Sequence, residues 1–251
     1  MGTVVIIGAG AGLGEALAKR FAAGGYDIGL IARSSERLEA LSRRLLGTGA
    51  QVVTAAADAG DSMALSAAID TIAAKLGAPE IAICNAARLE PGGALDTSTD
   101  TLAADLKVNL LGAHAMARQV APAMLARGTG AILFTGGGLA LEPYPDWTSL
   151  ALGKAALRNL SFSLFKELAP QGVHVAVIAV CGIVAQGGPF DPDRIAEEYW
   201  RIATNPMGLE DRELIFQPEG TDPFYNDPTR IHAATTRAPM HVIGGSDAHS
   251  R

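Results

Sequence analysis

The chain has 251 residues, 49% of them hydrophobic but only 5% aromatic, and a formal charge of -6. That length suits one α/β domain whose interior is built from Ala, Val, Leu and Ile packed between helices and sheet. The acidic balance offers no basic field to nucleic acid, and no apolar stretch reaches the ~18 residues that a membrane span needs, so neither is expected as a partner.

The first predicted strand, Val4 to Ile7, is β-branched and apolar on both faces, as a strand buried in a parallel sheet should be. The chain enters it directly, which leaves no room for a signal peptide. Glycines follow at once. The spacing G-x-G-x-x-G fails, because a start at Gly8 and Gly10 puts Leu13 where the third glycine belongs, and Gly8-x-x-x-Gly12-x-Gly14 fits instead. Bare backbone lets a chain turn tightly and bring N–H groups up to a pyrophosphate at the start of a helix, here Glu15 to Ala23, whose dipole favours the anion. The plainer alternative is a strand-to-helix turn with no ligand. Strand, glycines and helix in this order favour the phosphate site.

Further apolar runs fall at Ile28 to Ala32, Gln51 to Ala56, Ile81 to Cys84, Ala131 to Thr135 and Val173 to Val180. Helical patterns lie between them at Ser35 to Leu46, Ser62 to Leu76, Thr99 to Arg127 and Ser149 to Ala169. This alternation predicts a Rossmann-type, doubly wound parallel sheet in a three-layer α/β/α sandwich. Ligands of such sheets bind beyond the carboxyl ends of the strands, so Arg33, Asp58, Asn85, Gly136 to Gly138 and Cys181 are candidates by position. Arg33 stands where an arginine accommodates the 2′-phosphate of NADP and a carboxylate would bind the ribose of NAD, which favours NADP over NAD. Cys84 and Cys181 both end buried strands, and the expectation is a reduced, cytoplasmic chain.

Phe190 to Trp200 reads as a helical lid over a substrate pocket, capped by Asp191 or Asp193, within a lid region of about 183–210. Glu213 to Gln217 is the last predicted strand. Residues 1–217 then form one domain, and 218–251, rich in Pro, Thr and Asp, an extended arm that either lies on a neighbouring subunit or frays. The arm's histidines, at 232, 241 and 249, lack paired ligand spacing and suggest no metal site.

With these residues in hand, the chain resembles the short-chain dehydrogenases/reductases over nearly its whole length. Asp58 stands where that family has its adenine-contacting aspartate, and Asn85-Ala86-Ala87 resembles the Asn-Ala-Gly beside its cofactor. Asn109 matches the helix asparagine of the family's proton relay. Gly153-Lys154-Ala155-Ala156-Leu157 is similar to the segment around its catalytic lysine, which binds the nicotinamide ribose. The resemblance implies a cofactor site of Gly8, Gly10, Gly12, Leu13, Gly14, Arg33, Asp58, Asn85, Ala86, Ala87, Lys154, Cys181 and Ile183, and a homodimer or homotetramer. It breaks at the chemistry. The family's tyrosine, four residues before the lysine, is Leu150 here, and its serine falls on Gly137.

Leucine cannot titrate, and the loss of a positioned general acid is worth about 10² to 10⁴ in rate. Tyr144, in the loop before the helix, is the best-placed substitute donor, the alternative being a pocket wall. Lys154 could itself be the acid if desolvation lowered its pKa. Ser149 reads as a helix N-cap and His114 as a surface or structural histidine. The leading expectation is an atypical NADP-dependent oxidoreductase using Asn109, Lys154 and Tyr144 on a small carbonyl, alcohol or imine. The alternatives are an NADP(H)-binding pseudoenzyme, acting as a sensor or assembly subunit, and a non-redox enzyme using the same pocket.

Overall fold

A computed structural model describes residues 2–206 and 208–221. Among the described residues, seven strands run β1 Thr3–Ile7, β2 Asp27–Ala32, β3 Val52–Ala56, β4 Ile81–Cys84, β5 Gly130–Thr135, β6 Val173–Val180 and β7 Glu213–Phe216. All are parallel, in the spatial order β3-β2-β1-β4-β5-β6-β7. The order reverses beside β1, between β1 and β4, and a crevice opens there at the carboxyl ends of the strands. This is the doubly wound α/β/α sandwich that the alternation predicts.

Alternation within β1 divides the interior in two. Val4 and Ile6 face one side with Leu17 and Phe21 of helix α1 (Leu13–Ala23), Leu38 and Leu41 of α2 (Ser35–Arg44), and Ile195, Tyr199 and Ile202 of α7 (Pro192–Thr204). Val5 and Ile7 face the other side, with Leu65 and Ile69 of α3 (Ser62–Leu76), Met116 and Val120 of α5 (Gly112–Arg127), and Leu157 and Phe165 of α6 (Thr148–Leu168). Both faces of each central strand are therefore dry. That is why these strands read as continuous apolar runs.

Three elements depart from the sequence reading. The helix expected over Thr99 to Arg127 is broken into α4 (Thr99–Leu106), one π-helical turn at Lys107–Leu111, and α5. Gly112 N donates to Lys107 O across that turn, and Asn109 is buried within it. Helix α7 is not a free lid. Its body packs on α1, where the Trp200 ring lies 5.5 Å from that of Phe21 and the Arg20 guanidinium lies over the Trp200 ring at 4.0 Å from its centre. Only its start, Pro192 and Asp193, reaches the crevice, and Asp191 caps it by accepting from Asp193 N at 2.8 Å. Ser149 does not cap α6, which begins at Thr148 without a side-chain cap. Of the expected C-terminal arm, residues 218–221 form a turn closed by Thr221 N on Pro218 O. The remainder, with the histidines at 232, 241 and 249, lies outside the described residues.

Candidate active site

One cavity of about 780 Å³ runs along the carboxyl ends of the strands, from the start of α1 to the start of α6. Its first wall is the glycine turn. Gly8 has φ +83°, and a Cβ there would come within 2.5 Å of Ala86 N, so the close approach of the β1 and β4 ends admits glycine alone. A Cβ on Gly14 would meet Gly8 O at 2.8 Å, while one on Gly12, φ +85°, would project into open space. Gly12 and Leu13 line the cavity, and no side chain caps α1. The first-turn N–H groups and the bare turn thus make a cradle that fits a pyrophosphate.

Asn85 ties this turn to its neighbours. Its N–H donates to Ile7 O at 2.8 Å, its Nδ2 donates to Gly8 O at 3.1 Å, and its Oδ1 accepts from Thr135 Oγ1 at 3.0 Å. The ends of β1, β4 and β5 are held together by one side chain. Arg33, the first residue after β2, is exposed and makes no hydrogen bond or ion pair among the described residues. Asp58 is exposed beyond β3, its Oδ1 accepting from Gly60 N at 2.8 Å.

Lys154 occupies the other end of the cavity. It is buried on α6, and its Nζ donates to Thr135 O at 2.6 Å. Burial disfavours the ammonium and lowers its pKa from 10.5 to about 8. Leu150, one turn earlier on the same helix, also lines the cavity, and so does Gly137. A Cβ at Gly137 would stand 3.8 Å from Lys154 Cγ and from Val180 O, an ordinary contact, so nothing in the packing demands glycine there. Cys181 lines the same end, and burial pushes its thiol up to about 11. Trp147, Leu89, Val180 and Ile183 add apolar wall.

Of the residues singled out in the sequence, Gly12, Leu13, Asn85, Ala87, Lys154, Cys181 and Ile183 are brought together around this cavity. Gly8, Gly10, Gly14 and Ala86 lie in the turn and loop behind it. Tyr144 does not line it. It lines a second, apolar groove with Pro143, Pro145 and Leu152. Asn109 sits behind the wall. Its Oδ1 accepts from Arg88 N at 2.7 Å and its Nδ2 donates to Arg88 O at 3.1 Å, so its amide holds the loop after β4.

Two polar groupings escaped the sequence reading. Asp105 is fully buried, accepts from Ser149 Oγ at 2.5 Å and lies 2.6 Å from Arg88 Nε. Tyr199 is fully buried on α7 with its hydroxyl 2.7 Å from Thr135 Oγ1. A tyrosine at one turn's spacing among Ile195 and Ile202 on an apolar helix face was the available signal, since a buried phenol needs a partner.

Comparison with known proteins settles the family. The short chain dehydrogenase family model matches residues 2–187. The chain belongs to the short-chain dehydrogenases. This short-chain dehydrogenase is 32% identical over 209 residues to the oxidoreductase UcpA of Escherichia coli, covering 78% of each chain. It is 29% identical to sulfoacetaldehyde reductase 2 of Chromohalobacter salexigens, covering 93% and 94%. Among solved structures, a metagenomic short-chain oxidoreductase in complex with NADP superposes with a TM-score of 0.78 at 27% identity, over 86% of this chain and 96% of the other.

Proposed function

We propose that this short-chain dehydrogenase is an atypical NADP(H)-dependent oxidoreductase for a small carbonyl, alcohol or imine, in which Lys154 takes over proton transfer. The observation that carries this reading is that a buried lysine shares one cavity with the glycine cradle, with Leu150 and Gly137 in the same lining; the sequence resemblance supports taking these two as standing where the family has its tyrosine and serine. NADP is supported by Arg33 beyond β2 and by the NADP complex of the metagenomic relative. Gly8 to Gly14 and the start of α1 would hold the pyrophosphate, Arg33 the 2′-phosphate, Asp58 the adenine side, and Asn85 to Ala87 with Cys181 and Ile183 the nicotinamide half. When bound, the cofactor supplies a hydride.

The chain's own residues then supply orientation and a proton. Asn109 holds the loop at Arg88, and through it one wall of the pocket. Leu150, Trp147 and Val180 exclude water. Lys154, with a pKa lowered to about 8, can release a proton from Nζ near neutral pH, which an ordinary lysine does poorly. Reduction needs the protonated form and falls as pH rises through about 8. Titration of the purified protein with NADPH, followed by a carbonyl and imine screen, tests the reading: NADPH consumption that Lys154→Ala abolishes is expected. Tight binding of NADPH with no turnover of any substrate overturns it. That result favours a second reading, a cofactor-binding protein without catalysis, for which Leu150 and Gly137 already speak. We also take the protein to work in the cytoplasm as a homodimer or homotetramer, which light scattering on the purified protein tests for the assembly.

A further inference from the structure

The buried hydroxyl of Tyr199 belongs to a chain of hydrogen bonds whose direction can be deduced. Gly8 O can only accept, so Asn85 must present Nδ2 to it, at 3.1 Å, and Oδ1 to Thr135. Thr135 Oγ1 therefore spends its one proton on Asn85 Oδ1, at 3.0 Å. Only a lone pair remains on the Thr135 hydroxyl, and Tyr199 must be the donor across the 2.7 Å contact. Each member determines the next, from α7 through the end of β5 to the glycine turn. The same threonine offers its carbonyl to Lys154 Nζ at 2.6 Å, so both ends of the cavity hang on Thr135. A hydroxyl rotor with two competing acceptors would otherwise be free to turn, and Asn85 would then lose its orienting partner.

We propose that Tyr199 is a positioning residue for the cofactor, acting through Thr135 and Asn85 to hold the glycine turn in its binding shape and through the Thr135 main chain to seat Lys154. The proposal rests on the cofactor reading above and adds a residue that lies outside the cavity. It also gives α7 a role beyond packing, because the helix whose start frames the pocket is bonded to the floor of the cradle.

The test is equilibrium titration with NADPH of the wild type, Tyr199→Phe, Thr135→Val and the double variant, together with hydrogen exchange of the cofactor-free proteins across Gly8 to Gly14. Tyr199→Phe keeps the ring and its packing. It is expected to weaken NADPH binding about tenfold, the scale of one buried hydrogen bond. The double variant should bind no worse than the weaker single one, since both break the same chain. Thr135→Ser, which retains the hydroxyl, should bind as the wild type does, and exchange across the turn should quicken in Tyr199→Phe. Wild-type affinity in Tyr199→Phe, or additive losses in the double variant, overturns the proposal even if thermal stability falls. A wild type that binds no NADPH overturns the cofactor reading instead. Exchange in the cofactor-free proteins then decides the positioning claim, and unchanged protection of the turn in Tyr199→Phe sinks it.

Discussion

Lys154 shows how a residue can be legible in kind but not in state. Its place four residues after Leu150 is plain from the sequence, whereas its burial and its bond to Thr135 O come only from the packing of α6 over the end of β5. The burial has a measurable consequence. The folded lysine loses its proton near pH 8 and the unfolded one near 10.5, so between those values this site binds more protons in the unfolded chain and its contribution to stability rises with pH. Below pH 8 both states are charged and the penalty of burying the ammonium, on the order of 3 kcal/mol, is present in full. Lys154→Met should therefore be more stable than the wild type at pH 7, and the gap between their urea midpoints should close as pH rises from 8 to 10.5, a difference in which the raised thiols of Cys84 and Cys181 cancel. Gly137 and Leu150 carry a second prediction. Because the packing admits a Cβ at 137 and Leu150 already faces the cavity, Gly137→Ser with Leu150→Tyr should raise carbonyl reduction by about 10²-fold or more, read as NADPH consumption. Arg33, exposed and unpaired among the described residues, gives the third: Arg33→Ala should weaken NADPH about tenfold and NADH little, with an unchanged melting temperature.

Among the elements, the strands were readable because burial on both faces leaves an unbroken apolar run, as in Val4 to Ile7 and Val173 to Val180. The π turn at Lys107–Leu111 was not, since one extra residue in a helix hardly disturbs its apolar period. What places the turn is a contact between distant segments. Asn109 in the turn packs on Gly153 of α6, where an added Cβ would lie 2.7 Å from Asn109 Cβ. Gly153→Ala should cost about 1–3 kcal/mol of stability by overpacking, seen as a lower denaturant midpoint, and should disturb the Arg88 loop that Asn109 holds. The place of Tyr144 is set in an equally spatial way. A loop residue four positions before the helix can fall on either side of it, and here it lines the groove with Leu152 rather than the larger cavity. The role of α7 was misread because its apolar face at Ile195, Tyr199 and Ile202 fits a lid and a layer helix alike.

At the scale of the molecule, the layer architecture follows from alternation alone, but the strand order does not, and the order decides which loops meet. It is the pairing of β4 with β1 that brings Gly8 against Ala86 and lets Asn85 bridge three strands. Because the cradle is built from several strand ends, ligand bound there should stabilise the whole fold. NADPH at a hundredfold above its dissociation constant should add about 2.7 kcal/mol, which for a chain of this size raises the melting temperature by roughly 5 to 10 °C in a thermal scan.

The loops beyond β4 and β5 also meet. Gly92 N donates to Asp146 O at 2.7 Å, Thr148 N donates back to Gly92 O at 3.2 Å, and Gly92 forms a parallel bridge with Trp147, whose ring lines the cavity. Two stretches of chain more than fifty residues apart are thereby stitched into a single cassette. Substrate preference cannot then be transplanted from a relative one loop at a time: grafting either stretch alone would carry over half of a seam, and only the pair exchanged together would bring its own register.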